Sequence, residues 1–256
     1  MGREPCDRER LTFARWRVSS GVQSLEAELD TARQLSIDEL ADAIESIGFE
    51  CTRCGACCTG EAEDDHTATV FPDEIRDLEA SDTHDSAADW RDIARPMPYG
   101  LAETDDGDLE GETFEWALQT DSCGDCVFYE ETDGVGGCTA HDDRPLICQT
   151  YPFSVALAGT SQPMGEAVDS VALPAQREAD DEEGVLRAHE CEGLGREISR
   201  EDAEELAGAL KERAVRELEE AIAVRDTYAP ATPAPGEVVV HDSEGPKRVD
   251  GTPLEE

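Results

Sequence analysis

The sequence predicts an α+β protein: a small cysteine-rich domain with flanking helices and a disordered acidic tail. Apolar residues recur with helical spacing before residue 48 and after residue 198, whereas short β-branched and aromatic runs bounded by Gly and Pro lie between. Nine of the ten cysteines fall in that central region. The expected segments are a helical segment at 1–48, a cysteine-cluster domain at 49–198, an amphipathic helix at 199–227 and a disordered tail at 228–256.

The segment before the first cysteines indicates two amphipathic helices over residues 22–47. Ser36, with Glu39 three residues later, has the form of a capping box at the start of the second helix. Gly48 ends that helix. Residues 1–20 show no clear period and no apolar signal region, and no window approaches the roughly 18 apolar residues of a membrane span. We therefore expect a cytoplasmic protein.

The charge of the chain restricts its partners. The sequence has 62 acidic and 21 basic residues, for a formal net charge of -41. Such a charge repels phosphates and anionic lipids, so we expect neither nucleic acid nor membrane as a partner. The acids are spread through every segment, including the helical ones, which favours a folded surface adapted to high salt over a disordered tract. A halophilic archaeon is the expected source, and a protein partner is not indicated.

The first cysteine group has the spacing Cys51-x2-Cys54-x2-Cys57-Cys58. A two-residue spacer lets Cys51 and Cys54 bind one metal, and the next step is similar to the start of a ferredoxin cluster loop. Gly55 supplies a residue that tolerates positive φ. Because Cys57 and Cys58 are adjacent, we expect their side chains to diverge, either toward different metals or with one left as a neighbouring thiol. Buried structural thiols are the alternative, although four at chelating spacings rarely arise from packing.

The region between the cysteine groups predicts four further elements, of which the first is a short strand over 69–71. Pro72 and the acids after it fit the first turn of a helix. A helix is expected near 87–94 and a strand over 113–118.

Farther along the chain, candidate strands lie at 155–158, 168–173 and 185–188, and Ser199 with Asp202 caps the last helix.

The second cysteine group begins with Cys123-x2-Cys126, followed by a strand at 127–129 and a hairpin turn at 133–137 that leads to Cys138. Pro145 and Pro152 enclose a short helical turn that carries Cys148. Because 64 residues separate Cys58 from Cys123, a site shared by the two groups must be closed by the tertiary fold. We expect the groups to meet in space.

Several motifs occur in a fixed order: the first cysteine group, Phe71-Pro72-Asp73-Glu74-Ile75, Cys126-x-Phe128, Cys138, Arg144-Pro145-x2-Cys148-x2-Tyr151-Pro152-Phe153 and Cys191-x-Gly193-x-Gly195. In these motifs, over roughly residues 49–195, the chain resembles the YkgJ-like cysteine-cluster family, described as zinc- or iron-chelating. The resemblance implies an iron–sulfur cluster or zinc held by eight cysteines: Cys51, Cys54, Cys57, Cys58, Cys126, Cys138, Cys148 and Cys191. Eight thiols suit two four-cysteine clusters or two zinc sites.

The functional expectation is redox chemistry or metal handling. Two alternatives stay open. One relative, the flagellin lysine N-methylase, suggests methyl transfer from S-adenosylmethionine, although the sequence shows no Gly-rich nucleotide loop. The other alternative is a zinc-stabilised interaction module, so whether the chain is an enzyme is left open.

For four further residues the sequence does not decide between roles. Cys6 and Cys123 lie outside the pattern. His141 stands where the family has Tyr, as a packing residue or a weak ligand. Arg144 either offsets thiolate charge or forms an ordinary salt bridge.

Overall fold

The computed structural model describes residues 24–60, 66–81, 88–104, 107–132, 135–163, 166–174 and 184–254. Its α-helices are α1 (Leu25–Gln34), α2 (Ile37–Ile47), α3 (Pro72–Ala80), α4 (Trp90–Ile93), α5 (Leu146–Thr150) and α6 (Arg200–Thr227). Its strands are β1 (Thr69–Val70), β2 (Ala94–Pro96), β3 (Ala102–Glu103), β4 (Leu109–Thr113), β5 (Trp116–Leu118), β6 (Tyr129–Thr132), β7 (Val135–Cys138), β8 (Phe153–Val155), β9 (Ala167–Val171), β10 (Leu186–His189), β11 (Val238–Asp242) and β12 (Gly245–Lys247). The mixture of helices and sheets confirms the α+β class.

The helices begin where the sequence places their caps. The Ser36 hydroxyl accepts a hydrogen bond from the Glu39 N–H, and the Ser199 hydroxyl accepts one from the Asp202 N–H. Gly48 follows α2 with a φ of 78°. These contacts satisfy N–H groups that have no partner within the helix, so local sequence sets both helix starts.

The described chain forms four small sheets. Two are antiparallel, in the orders β1-β5-β2 and β8-β10-β9, and β6-β7 is a hairpin. The fourth has the order β12-β11-β4-β3, in which β11 runs parallel to β4.

Two apolar cores hold these elements together. The first packs α1, α2 and α6 against β8 and β10, with Leu40, Ile44, Leu186 and Leu210 almost wholly buried. The second packs α3 and α4 against β5 and β11 around Trp116. The first core joins two helices that precede residue 48 and one that follows residue 198 to strands that lie between them.

The expected disorder of residues 228–256 is wrong over most of that range. Val238, Val239 and Val240 are buried, because β11 pairs with β4 from Val238 opposite Gly111 to Val240 opposite Thr113. Lys247 on β12 is 2% exposed. The Pro, Gly and acidic composition of the tail predicts disorder, but a pairing partner more than a hundred residues away supplies the missing contacts.

Several expected elements have different limits, among them the strand expected at 155–158, which is β8 and ends at Val155. The strand expected over 113–118 is broken after Thr113, and Phe114 and Glu115 lie exposed between β4 and β5. The strand expected at 127–129 begins only at Tyr129. The helix expected near 87–94 is the four-residue α4. The middle of the expected hairpin turn, at 133–134, lies outside the described residues.

None of the helices in the described part of the chain is both long enough and apolar enough to span a membrane.

Candidate metal centre

The first cysteine loop is held against the last cysteine of the pattern. The Glu50 N–H donates to the Gly193 carbonyl at 3.0 Å, and the Gly195 N–H donates to the Gly48 carbonyl at 3.0 Å. A Cβ at Gly193 would lie 2.3 Å from the Glu50 carbonyl oxygen, so only glycine permits this approach. These contacts bring Cys51 and Cys191 to the same part of the molecule.

A tight turn places Cys57 and Cys58 side by side. The Cys58 N–H donates to the Gly55 carbonyl at 2.7 Å, and Gly55 has a φ of 81°, as expected for this loop. The two Sγ atoms are 3.7 Å apart. The expected divergence of these side chains is therefore wrong, because the bond from the Cys58 N–H to the Gly55 carbonyl closes a turn, in which successive side chains do not alternate as they do along a strand.

The second cysteine region packs directly on this turn. The Cys126 N–H donates to the Cys58 carbonyl at 2.9 Å, and the Gly136 N–H of β7 donates to the Arg53 carbonyl at 3.0 Å. The Tyr129 ring fills the space beside Gly55, where an added Cβ would lie 2.3 Å from the phenolic oxygen. The two cysteine groups thus meet in space, as expected.

The thiols of the two regions act on one another electrostatically. Burial raises the pKa of the Cys126 thiol to about 12. Burial is also the largest cause of the raised pKa values of Cys138 and Cys148. Proximity to Cys57 contributes to each of these three shifts. The pKa of Cys57 itself is raised first by its hydrogen bond with Cys58 and then by burial. Cys57, exposed on its loop, therefore neighbours Cys126, which is buried, and Cys138 and Cys148, which are partly buried.

A second group of thiols surrounds Cys191. Burial raises its pKa most, and Cys54, Cys57 and Cys51 add to the shift. The pKa of Tyr151 is raised by burial and then by Cys191, Cys57 and Cys54. Cys57 is therefore common to both groups, and the Tyr151 ring lies beside this second one.

Contacts from α3 and α6 fix the position of Cys148. The partly buried Glu74 carboxylate of α3 accepts from the Phe71 N–H at 3.0 Å and from the Leu146 N–H at the start of α5 at 2.9 Å. At the C-terminal end of α5, the Arg213 guanidinium of α6 donates to the Thr150 hydroxyl at 3.0 Å. Glu74 is a helix-start residue, as the sequence indicates, and it also caps the short helix that holds Cys148.

His66 is a neighbour of the loop that the sequence did not single out. Its ring is 6% exposed, its Nε2 lies 3.1 Å from the Cys57 carbonyl oxygen, and its backbone N–H donates to the Gly124 carbonyl at 2.9 Å. Within the residues that the structure describes, its Nδ1 has no hydrogen-bond partner. A lone His after an acidic run carries no local signal of such a contact.

The other residues without a settled role are now placed. Arg144 only partly offsets the raised pKa of the Cys57 and Cys138 thiols, which agrees with a guanidinium that offsets thiolate charge. His141 is 58% exposed beside Asp142, so it is not a packing residue. Cys123 is exposed, and Cys6 lies outside the described residues.

The donor set fits zinc or iron by its chemistry. Thiolates are the ligands that zinc and iron–sulfur clusters prefer, and the 3.7 Å between the Cys57 and Cys58 Sγ atoms is close to the roughly 3.8 Å edge of a tetrahedral thiolate site. Among the described residues, no group of three or more Cys, His, Asp or Glu side chains already has an arrangement that holds an ion. Cys51, Cys54 and Cys57 are exposed on the loop, so coordination requires the loop side chains to close on the less exposed thiols of Cys126, Cys138, Cys148 and Cys191.

These features define an α+β protein whose cysteines converge on a candidate centre for a thiophilic metal. The family model described as "CxxCxxCC: Putative zinc- or iron-chelating domain" matches residues 50–192, which is more than half of the chain. The chain belongs to this family. No curated protein and no solved structure matches it.

Proposed function

We propose that the chain binds zinc or an iron–sulfur cluster through eight cysteines and that it serves in redox chemistry or metal handling. The eight are Cys51, Cys54, Cys57, Cys58, Cys126, Cys138, Cys148 and Cys191. The observation that carries the proposal is the convergence of the cysteine groups, because the Cys126 N–H donates to the Cys58 carbonyl at 2.9 Å and the Glu50 N–H, beside Cys51, donates to the Gly193 carbonyl, near Cys191, at 3.0 Å. A bound iron–sulfur cluster would supply electron transfer, whereas zinc would cross-link the loops.

Metal analysis of protein purified without oxygen tests this proposal. We expect zinc or iron with inorganic sulfide, and visible absorbance only if a cluster is present. Cys126→Ser should lower metal content, because this thiol is one of the eight and is only 7% exposed. Cys123→Ser is the matched control, since this exposed thiol belongs to the same C-x2-C motif but not to the eight. Equal metal content in both variants and the parent chain would contradict the assignment, and colourless zinc protein would favour the interaction module.

We also propose that the acidic surface is an adaptation to a salt-rich cytoplasm. Arg200 illustrates the shortage of cations, because its guanidinium is shared among four acidic side chains: Asp38, Asp42, Glu45 and Glu204. The spread of 62 acids over the whole chain supports the same conclusion. Screening of this repulsion requires dissolved salt.

Lower salt should therefore unfold the chain. At about 0.1 M salt, where the Debye length is about 10 Å, we expect a lower melting temperature than in molar salt. Circular dichroism melts over a potassium chloride series measure the effect, with sucrose of equal osmolality as the uncharged control. A melting temperature that is the same across the series, or that sucrose restores as well as salt, would count against the adaptation.

A further inference from the structure

A cavity of about 500 Å³ lies between α6 and the segment that joins β4 to β5, and none of its lining residues is a cysteine. Its size is within the usual range for small-molecule sites. Much of its wall is apolar, from Val70, Met97, Ala221 and Val224. Three aromatic residues that also line the cavity are exposed: Tyr99 at 67%, Phe114 at 45% and Tyr228 at 40%. Exposed aromatic groups on an apolar cavity are typical of a ligand site.

The aromatic wall is fixed before any ligand enters. The Phe114 and Tyr228 ring centroids are 5.4 Å apart, and the His241 ring lies 5.5 Å from Phe114 and 4.9 Å from Tyr228. The His241 Nε2 is 2.8 Å from a Glu112 carboxylate oxygen, and this contact fixes the orientation of the His241 ring. Aromatic faces of this kind attract cations.

The acidic residues of the cavity differ in what they contact. Glu217 pairs with the Arg213 guanidinium at 2.9 Å, Glu220 accepts from the Ser243 N–H at 2.7 Å, and Asp242 pairs with the Lys247 ammonium at 2.7 Å. Glu115 is the exception, because in the described part of the chain no group donates a hydrogen bond to its carboxylate.

The surroundings of Glu115 favour a positive charge. Glu115 is open to solvent on one side, but the packed residues around it, then Glu217 and then Glu220, raise the pKa of its carboxyl, so two like charges act on it from the cavity lining. A cation beside Glu115 would reverse this repulsion. A hard metal ion fits poorly, because such ions take six or more oxygen ligands, whereas the walls are apolar and the Glu217 and Glu220 oxygens are already bonded.

We propose that this cavity binds an organic cation, an amine or guanidine with an apolar body, between the Glu115 carboxylate and the aromatic faces of Phe114 and Tyr228. The apolar walls take the body of the ligand and the carboxylate takes its charged end. The cation is either a free small molecule or the side chain of a basic residue in a peptide, since both present the same chemistry.

Calorimetric titration of the full chain tests the proposal with three probes: phenethylammonium chloride, the neutral 2-phenylethanol and the capped peptide acetyl-Ala-Lys-Ala-amide. We expect saturable binding of at least one cationic probe and much weaker binding of the alcohol. Preference for the amine indicates a free small molecule, preference for the peptide indicates a protein segment, and either supports an organic cation. No saturable heat from either cation, or equal affinity for the amine and the alcohol, would overturn the proposal.

A charge-removing variant locates the site. Glu115→Gln keeps the size of the side chain and should weaken binding about tenfold or more, the effect of losing one charge-assisted contact. Glu103→Gln, on β3 and outside the cavity lining, is the matched control and should bind as the parent does. Without ligand, Glu115→Gln should melt at the same temperature or higher, because it removes a repelled carboxylate. Unchanged binding in Glu115→Gln, or a loss of binding that comes with a lower melting temperature, would assign Glu115 a different or structural role.

Discussion

Cys54→Ser and Cys148→Ser should each lower both the metal content and the stability of the chain, although the two positions lie 94 residues apart in the sequence. Cys54 belongs to the exposed loop and Cys148 to the short helix α5, and both neighbour Cys57 or Cys191. A ligand bound only by the folded chain stabilises it by about 2.7 kcal/mol when present at 100 times its dissociation constant. For a chain of this size the loss corresponds to a melting temperature lower by roughly 5–11 °C.

Elemental analysis and thermal melts, each before and after treatment with a chelator, measure this effect. The chelator should lower the melting temperature of the parent chain toward that of the two variants and should change the variants little. Cys123→Ser again serves as the control. If only one of the two serine variants loses metal, the two cysteine groups do not share a centre.

Lys247→Met should destabilise the chain by about 3–5 kcal/mol, because it leaves a buried carboxylate without its partner. The Lys247 ammonium, 2% exposed, lies 2.7 Å from the Asp242 carboxylate and 2.6 Å from that of Glu244. Asp242 is equally buried and also accepts from the Trp116 indole N–H at 2.9 Å. These contacts attach the C-terminal strands to the second core.

Chemical denaturation of Lys247→Met against Lys211→Met measures the effect, since these are the two lysines of the chain. Lys211 donates one hydrogen bond, to the Leu35 carbonyl at 2.8 Å, so its loss should cost only about 1 kcal/mol. Lys247→Met combined with Asp242→Asn should recover part of the stability, because Asn is neutral and can still accept from Trp116. Equal costs for the two lysine variants would contradict the buried pair.

The contacts of Glu244 predict that the stability of the chain depends on pH. The Arg76 hydrogen bond, and then that of Lys247, lower the pKa of Glu244 from its ordinary 4.5 to about 2. A carboxyl whose pKa is lower in the folded state stabilises that state above its unfolded pKa. This contribution should therefore be lost as the pH falls from about 4.5 toward 2.

Local sequence was sufficient for the features that depend on near neighbours. The caps at Ser36 and Ser199, the helix start at Pro72 and the helical turn around Cys148 each follow from contacts a few residues apart. The cysteine spacing likewise indicated the metal-chelating family, because chelating intervals are a property of the chain itself.

Tertiary structure decided the features that depend on distant partners. The parallel pairing of β11 with β4 orders a tail whose composition predicts disorder, and the buried Lys247 is neutralised there by Asp242. Which thiols neighbour Cys57, and that His66 and Glu74 support them, follows from packing between segments far apart in sequence. The sequence alone determined the donors and their spacing, whereas only the fold determined which donors lie together, because that depends on how buried surfaces from separate segments fit.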